Sequence, residues 1–458
     1  MHIVKRGAKI IILILCTLFF VGMILLMCDG ANMLAFAANI DLGDIPNISI
    51  TLKYQGHSFV YNSNQHMPNI TNFIQQRTFQ KNSRTGTYLE RANMIDKMIG
   101  CRLPINDAFC YMFGGWQEYF DSVKKAVNFA PQDATLAFNP NASPCFKLNR
   151  EVVGYKLDEK AVLCNILDCM HSTDNIVLDL HPKQLLPNIY YADLIKQTNK
   201  LSSFATSYQT SSQNRKNNIC LALKNFNGMQ VMPHQTVSFN NTTGERTTSK
   251  GYKEAHMILD SEYIDAVGGG VCQASTTLYN ALLLAGVKID EVHAHSLPSS
   301  YISLGFDAMV NYGTSDLRFT NQYDTPIYLR VVCNTQSVRV EVYGQNYSQN
   351  TKIKQKTEIL ATIPPPNDKI IVDDAGEYID KVEYKDEYFY KQEARNGYKV
   401  KSYLEYYTNN KLQKRKLIRT TTYKPKQGIK VYGAKNRPSQ DSLNNDFLQT
   451  LSNILGNY

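Results

Sequence analysis

The chain has 458 residues, a 43% hydrophobic fraction and a formal charge of +9, from 49 Lys and Arg against 40 Asp and Glu. That length exceeds one ordinary hydrophobic core and predicts several domains. The charge excess is modest and no Lys/Arg run is interleaved with aromatics. Nucleic acid is therefore set aside, and an anionic wall or phospholipid surface suits the balance better.

The first elements concern export. Lys5, Arg6 and Lys9 form a positive flank, an uncharged apolar run follows from Ile10 to Cys28, and Ala35-Phe36-Ala37 offers the small residues a signal peptidase needs. The run approaches the roughly 20 residues that span a bilayer, so an uncleaved anchor with a cytoplasmic N-terminus is the alternative to a cleaved signal. Met27 before Cys28 is bulkier than lipoprotein processing favours. Residues 1–38 are assigned to a signal peptide or membrane anchor, which places the remainder outside the cytoplasm, attached to the cytoplasmic membrane or secreted to the cell wall. Of ten cysteines, two lie in the export segment. Among the other eight the nearest couples are Cys101 with Cys110 and Cys164 with Cys169, but the spacings match neither a zinc ribbon nor a dense disulfide scaffold. Most read as small buried hydrophobes.

Beyond the export segment the pattern is α+β and multidomain. Ile48, Ile50, Leu52 and Tyr54 alternate with polar residues, as in a half-buried strand. A polar loop follows from Asn62 to Thr87. Helices are predicted at Tyr88–Ile99, Trp116–Asn128 and Asp158–Met170, with strands at Ala134–Phe138 and Ile176–Leu180. The Ser/Thr/Gln-rich stretch Ser202–Asn214 reads as a domain entrance, and Pro364-Pro365-Pro366 as a stiff break. Alternating strands are predicted over Lys369–Tyr432, with turns at Asn396-Gly397 and Asn409-Asn410. A C-terminal helix would present Leu443, Phe447, Leu451 and Leu455. The expected modules are 39–202, 203–350, 351–433 and a tail over 434–458.

The densest chemistry surrounds Cys272. Gly268, Gly269 and Gly270 allow a tight turn with exposed amides, and Cys272 would open a helix carrying Leu278, Leu282 and Leu283. A thiol at a helix N-terminus feels the positive end of the macrodipole, which favours thiolate. His293 and His295 follow on a predicted strand, Val287–His295, where residues two apart share a face. Asp307 follows on the next candidate strand. Cysteine, histidine and acid in this order suit a thiol enzyme: Cys272 the nucleophile, His295 or His293 the base, and Asp307 the orienting acid. The Gln273 side chain or the turn amides would stabilise an oxyanion. Three other readings use the same residues. One is a ligand groove whose glycine-rich loop approaches the ligand. Another is simple packing of Cys272 beneath that loop. The third is a zinc site of Cys272, His293 and His295, which lacks a fourth ligand. No metal or cofactor is expected.

These motifs also carry a resemblance. Arg215 to Asn227, Ser238-Phe239-Asn240, Gly244-Glu245-Arg246-Thr247, Gly251-Tyr252, Gly268 to Ala281 and His295-Ser296-Leu297-Pro298 run in the order of the VanW family. Tyr301, Gly305, Asp307-Ala308 and Tyr312-Gly313 continue it, so the likeness spans about Ser203 to Gly344. Val237 and Ala274-Ser275-Thr276 depart from the usual residues. The family takes its name from an accessory protein encoded with vancomycin (glycopeptide) resistance and is widespread in Gram-positive bacteria. The resemblance implies a cell-wall setting rather than a settled reaction. Tyr88, Arg91, Asp133-Ala134 and Gly154-Tyr155-Lys156-Leu157-Asp158 resemble a peptidoglycan-binding-like domain that often precedes this core. The tail, with Gly397 and Lys424-Pro425 to Gly433, resembles a degenerate G-five cell-wall domain.

The expected function is recognition or remodelling of peptidoglycan by an exported protein with a possible link to glycopeptide resistance, the partner being peptidoglycan or its stem peptides. The alternative is a cysteine-dependent amidase, peptidase or transpeptidase acting on stem peptides through Cys272 and His295. Arg246 and Tyr301 join Gly268, Gly269, Gly270 and Gln273 as candidate ligand contacts, Arg246 through its planar fork.

Overall fold

The computed structural model describes residues 47–65, 87–259, 262–346, 351–437 and 440–455. The export segment 1–38 lies outside them. Among the described residues no helix is long and apolar enough to cross a membrane. The chain divides into two compact units, one ending at Ala134 and resuming over Arg150–Tyr190, the other made of Thr135–Asn149 and Tyr191 onward.

In the first unit the predicted strand is Ser49–Tyr54, paired antiparallel with His57–Asn62 and parallel with Asn175–Asp179. The strand His57–Asn62 had no sequence expectation, and of the polar loop expected from Asn62 to Thr87, residues 66–86 lie outside the described ones. The alternation of Ile48, Ile50 and Leu52 puts all three in the core. Helices Tyr88–Gly100, Ile105–Met112, Trp116–Val127 and Glu159–Met170 cover that face. The first opens on a reciprocal capping box between Thr87 and Glu90, and Asp158 caps the last. Arg91 is buried, with its guanidinium over the Phe113 ring at 5.6 Å. Neither Cys101 with Cys110 nor Cys164 with Cys169 forms a disulfide. Cys164 and Cys169 sit five residues apart on one helix, a separation of about 140° that points their thiols apart.

The second unit is built on the helix Val271–Leu284, whose residues are buried almost throughout rather than along one stripe. A four-stranded sheet, in the order Asn199–Ser207, Ser337–Gly344, Ile327–Cys333, Gln230–Val231, covers one side. The stretch read as a domain entrance thus begins as a core strand. Helix Gln213–Lys224 covers another side, with Ile219, Ala222 and Leu223 in the same cluster.

Strands Thr351–Ile363, Gly397–Thr408 and Lys411–Tyr423 form a long antiparallel sheet, whose Leu404 belongs to that cluster as well. Asn409 and Asn410, at φ +50° and +62°, make the tight turn expected of them. Asn396-Gly397 is not a hairpin turn, because the strands on either side, Tyr388–Gln392 and Gly397–Thr408, belong to different sheets. The C-terminal helix forms over Gln440–Leu455, but Phe447 and Leu455 are 65% and 70% exposed.

One glycine marks how closely the strand-rich part packs on the core. Gly305 has φ +86°, and a Cβ there would lie 2.8 Å from Ser402 Cβ. Gly305→Ala is expected to destabilise this unit by about 1–3 kcal/mol, read as a lowered unfolding midpoint in thermal melts of the purified chain.

Candidate active site

Gly268-Gly269-Gly270 turns the chain from strand Glu262–Val267 into the central helix. Gly270 caps that helix at φ +103°, and a Cβ there would meet Arg215 Cγ at 2.8 Å. Glycine alone tolerates both the backbone and the contact. The amides of Gly268, Gly269, Val271 and Gln273 are already bonded to backbone carbonyls in and around the turn. Cys272 is the second residue of the helix, within reach of its positive end.

The predicted strand Val287–His295 ends early, at Glu291. Past it the chain is irregular, so the alternation that would put His293 and His295 on one face does not hold. His293 turns outward, with Nε2 2.8 Å from Glu291 Oε1. His295 turns inward and is 8% exposed. Its backbone N–H donates to Asp307 Oδ2 at 2.6 Å, and its Nδ1 lies 2.7 Å from the same oxygen. The ring lies near enough to Cys272 to act on its thiol. Because Nδ1 is engaged by Asp307, Nε2 is the nitrogen left for the thiol.

Asp307 lies in an irregular segment rather than a strand, held from beneath by the central helix. Ser275 Oγ donates to Ala308 O at 2.6 Å, the Ala308 N–H donates to Thr276 Oγ1 at 2.9 Å, and Asn280 Nδ2 donates to Phe306 O at 2.9 Å. Ser275 and Thr276, the latter a departure from the usual residue, thus secure the loop that carries the acid. The other carboxylate oxygen, Oδ1, accepts from Arg419 Nη2 at 2.8 Å and from Tyr423 OH at 2.6 Å.

The charges in this cluster oppose desolvation and prevail. Burial pushes the Cys272 thiol up, but His295, a backbone hydrogen bond at Val310 and the Arg246 charge leave it below its ordinary value. Burial would lower His295, but Asp307 and Cys272 raise it to about 10. Burial would raise Asp307, and His295 and Arg419 bring it down instead. The directions of all three shifts favour the charged forms: thiolate, imidazolium and carboxylate.

A cleft of about 600 Å³ opens over the thiol, lined by Arg215, Arg246, Cys272, His295, Tyr301 and Tyr312 among others. Arg246 Nη2 donates to Asn240 Oδ1 at 2.6 Å, while Nη1 is buried with no hydrogen-bond partner. Arg215 Nη1 donates to Ser211 Oγ and Gln273 Oε1, and its guanidinium lies 5.9 Å from the Tyr301 ring centre.

Gln273 differs from expectation. Its Nε2 donates to Thr206 Oγ1 and Ser207 O, so the side chain is locked into the core and is not free to meet an oxyanion. Among the described residues, no three His, Cys, Asp or Glu side chains converge as metal ligands. The zinc reading fails locally because His293 is turned to Glu291. Arg215, Arg419 and Tyr423 escaped the sequence reasoning about the site. Arg215 sits in a recognisable motif, but Arg419 and Tyr423 lie more than a hundred residues past Asp307 in a strand with no local signature.

Residues 214–343 match the profile of the family described as VanW like protein. A Bacillus subtilis (strain 168) protein, printed as "Uncharacterized protein YoaR", is 32% identical over 214 residues, which cover 46% of this chain and 70% of that one. The chain belongs to the VanW family. The Vancomycin B-type resistance protein VanW of Enterococcus faecalis (strain ATCC 700802 / V583) is 24% identical over 172 residues, 36% of this chain and 62% of the relative. A G5 domain structure of an IgA1 protease aligns at 21% identity over 20% of this chain and 100% of its own, with a TM-score of 0.12. The G5 domain of HP0197 aligns at 22% identity, over 18% of this chain and 95% of its own, with a TM-score of 0.11. These two overlaps are too slight to assign a fold. The VanW-like segment contains Cys272, His295 and Asp307 but neither Arg419 nor Tyr423.

The electrostatics predict selective reactivity. His295→Asn is expected to slow iodoacetamide labelling of Cys272 at pH 7 by about tenfold or more, because the thiol loses the neighbour that lowers its pKa. Cys220, whose thiol is drawn down to about 7 chiefly by its hydrogen bond to Cys333, serves as internal reference and keeps its rate. Peptide mapping by mass spectrometry reads both sites in one sample.

Proposed function

We propose that this protein is a cell-envelope thiol enzyme that transfers acyl groups of peptidoglycan stem peptides, with Cys272 as the nucleophile. The carrying observation is a buried His295 hydrogen-bonded to Asp307 and placed beside Cys272, at a helix start beneath an open cleft. A wall-binding role alone would need the cleft but no buried imidazole between a thiol and a carboxylate.

In the proposed reaction the Cys272 thiolate attacks a peptide carbonyl carbon, and the carbonyl electron pair moves onto oxygen. The Cys272 amide, in the first helical turn, and the Arg246 charge favour that oxyanion. Collapse breaks the C–N bond, and the His295 imidazolium gives its proton to the departing amine. The thioester is then taken by water, which completes hydrolysis, or by a second amine, which makes a new amide cross-link. His295 accepts the proton released in that step. Asp307 stays ionised and fixes the ring.

The setting rests on the export segment and on VanW family membership. The printed name of the Enterococcus relative attaches vancomycin B-type resistance to that protein, and a part in glycopeptide resistance follows for this chain if stem peptides are what it remodels. Arg215 and Arg246 make no ion pair among the described residues, so a free carboxylate on the peptide is a fitting counterion.

Muropeptides incubated with the ectodomain and resolved by mass spectrometry test the proposal. The native protein is expected to yield new fragments or cross-links that Cys272→Ser does not. Equal wall binding by both proteins with every species unchanged would leave a binding module as the better account. Arg246→Lys is expected to raise KM about tenfold with a smaller effect on kcat. The pH profile of kcat/KM is expected to be a bell. It rises as the thiol titrates below its ordinary range, and falls as His295 loses its proton near pH 10, since the leaving amine then lacks its acid.

A further inference from the structure

We infer that Arg419 and Tyr423, from the strand-rich region beyond the VanW-like segment, are positioning residues for the Cys272 site, so that the working catalytic unit extends to the end of strand Lys411–Tyr423. The inference rests on the thiol-transfer reading above.

The geometry is specific. Asp307 is 1% exposed, and its two oxygens are divided between partners. Oδ2 faces His295, through the backbone N–H and Nδ1. Oδ1 faces only the strand-rich sheet, through Arg419 Nη2 and Tyr423 OH. The two side chains also fasten the backbone that carries the acid. Arg419 Nη2 donates to Asp307 O at 2.5 Å and Arg419 Nε to Gly305 O at 3.1 Å, while the Gly305 N–H donates to Tyr423 OH at 2.7 Å. One residue beyond Tyr423, the Lys424 N–H donates to Ser296 O at 2.8 Å, next to His295. The sheet therefore grips both sides of the His295–Asp307 bond.

Positioning follows from what these contacts remove. A carboxylate held through one oxygen can rotate about its Cβ–Cγ bond, and His295 would swing with it. With Oδ1 pinned by two donors, Oδ2 is left in one orientation, toward His295. Tyr423 is 1% exposed, so no water stands ready to replace its hydroxyl. Arg419 brings a fork that a point charge cannot copy, because three of its bonds run to two acceptor residues.

The test is the pH dependence of Cys272 alkylation in the full chain, with thermal unfolding measured beside it. Tyr423→Phe keeps the ring and loses only the hydroxyl, and Arg419→Lys keeps the charge and loses the fork. Each is expected to move the midpoint of the alkylation profile up by about one pH unit, a rate loss near tenfold on the acid side. Tyr406→Phe, in the same sheet and packed against the core without touching Asp307, is expected to leave the profile in place. Asp307→Asn separates the two ideas. If it leaves Cys272 labelling unchanged, the thiol-transfer reading itself falls. If it slows labelling while the Tyr423→Phe and Arg419→Lys profiles superimpose on the native one, only the present inference falls. An equal shift in Tyr406→Phe would also overturn it, because general loosening of the sheet would then suffice.

Discussion

A carboxylate removed from water is costly unless both oxygens find donors, and the Asp307 carboxylate finds four. It accepts the His295 N–H and ring on one side and Arg419 and Tyr423 on the other. Breaking such a buried set by removing one partner typically costs about 3–5 kcal/mol. This condition organises the region around it. The acid must sit on an irregular segment, since a strand would spend its backbone groups on ladder bonds. That segment must then be satisfied from elsewhere, and the buried polar residues of the central helix do so. Ser275, Thr276 and Asn280 are otherwise poor choices for the interior of a buried helix.

The same burial sets the chemistry. Desolvation opposes the charged form of Cys272, His295 and Asp307 alike, and in a cleft without partners it would leave all three neutral. Here each of the three has an oppositely charged neighbour, and the shifts run toward the charged forms. The helix terminus adds a smaller push on the thiol, worth a few tenths to about 1 kcal/mol at an exposed site. The imidazole provides the larger share. A thiol at a helix start beside a carboxylate-backed imidazole has two neighbours that favour its thiolate.

Much of this was legible in the residue order, and the gaps have physical reasons. The glycine turn, the helix opening at Cys272 and the pairing of His295 with Asp307 are close in sequence or follow from backbone rules that leave a composition signal. The choice between His293 and His295 did not follow, because it depended on where a strand ended and an irregular turn began. Gln273 looked available for the same reason: sequence shows that an amide is present and not that Thr206 and Ser207 already occupy it. Arg419 and Tyr423 were beyond reach for a different cause. They sit in a strand rich in Lys, Arg and Thr, and nothing local distinguishes the two side chains that turn to the core from the many that face solvent.

The burial of the central helix explains why the matched segment is not a self-sufficient structure. From Val271 to Leu283 nearly every side chain is enclosed, so the helix has no face that can be left in water. Within residues 214–343 the helix Gln213–Lys224 and two sheet strands cover part of it. The edge strand Asn199–Ser207 lies just upstream, yet it donates Ser202 Oγ to the Ala281 carbonyl and pairs Thr206 with Thr277. On another side Gln355 donates to Asn280, Thr357 to the Leu304 carbonyl, and Leu404 enters the core. Removing these would expose apolar surface at roughly 25 cal/mol per Å² and strand polar groups chosen for partners. The helix that presents Cys272 is therefore stabilised by chain on both sides of the family segment. Cys272 and the strand-rich region share one core.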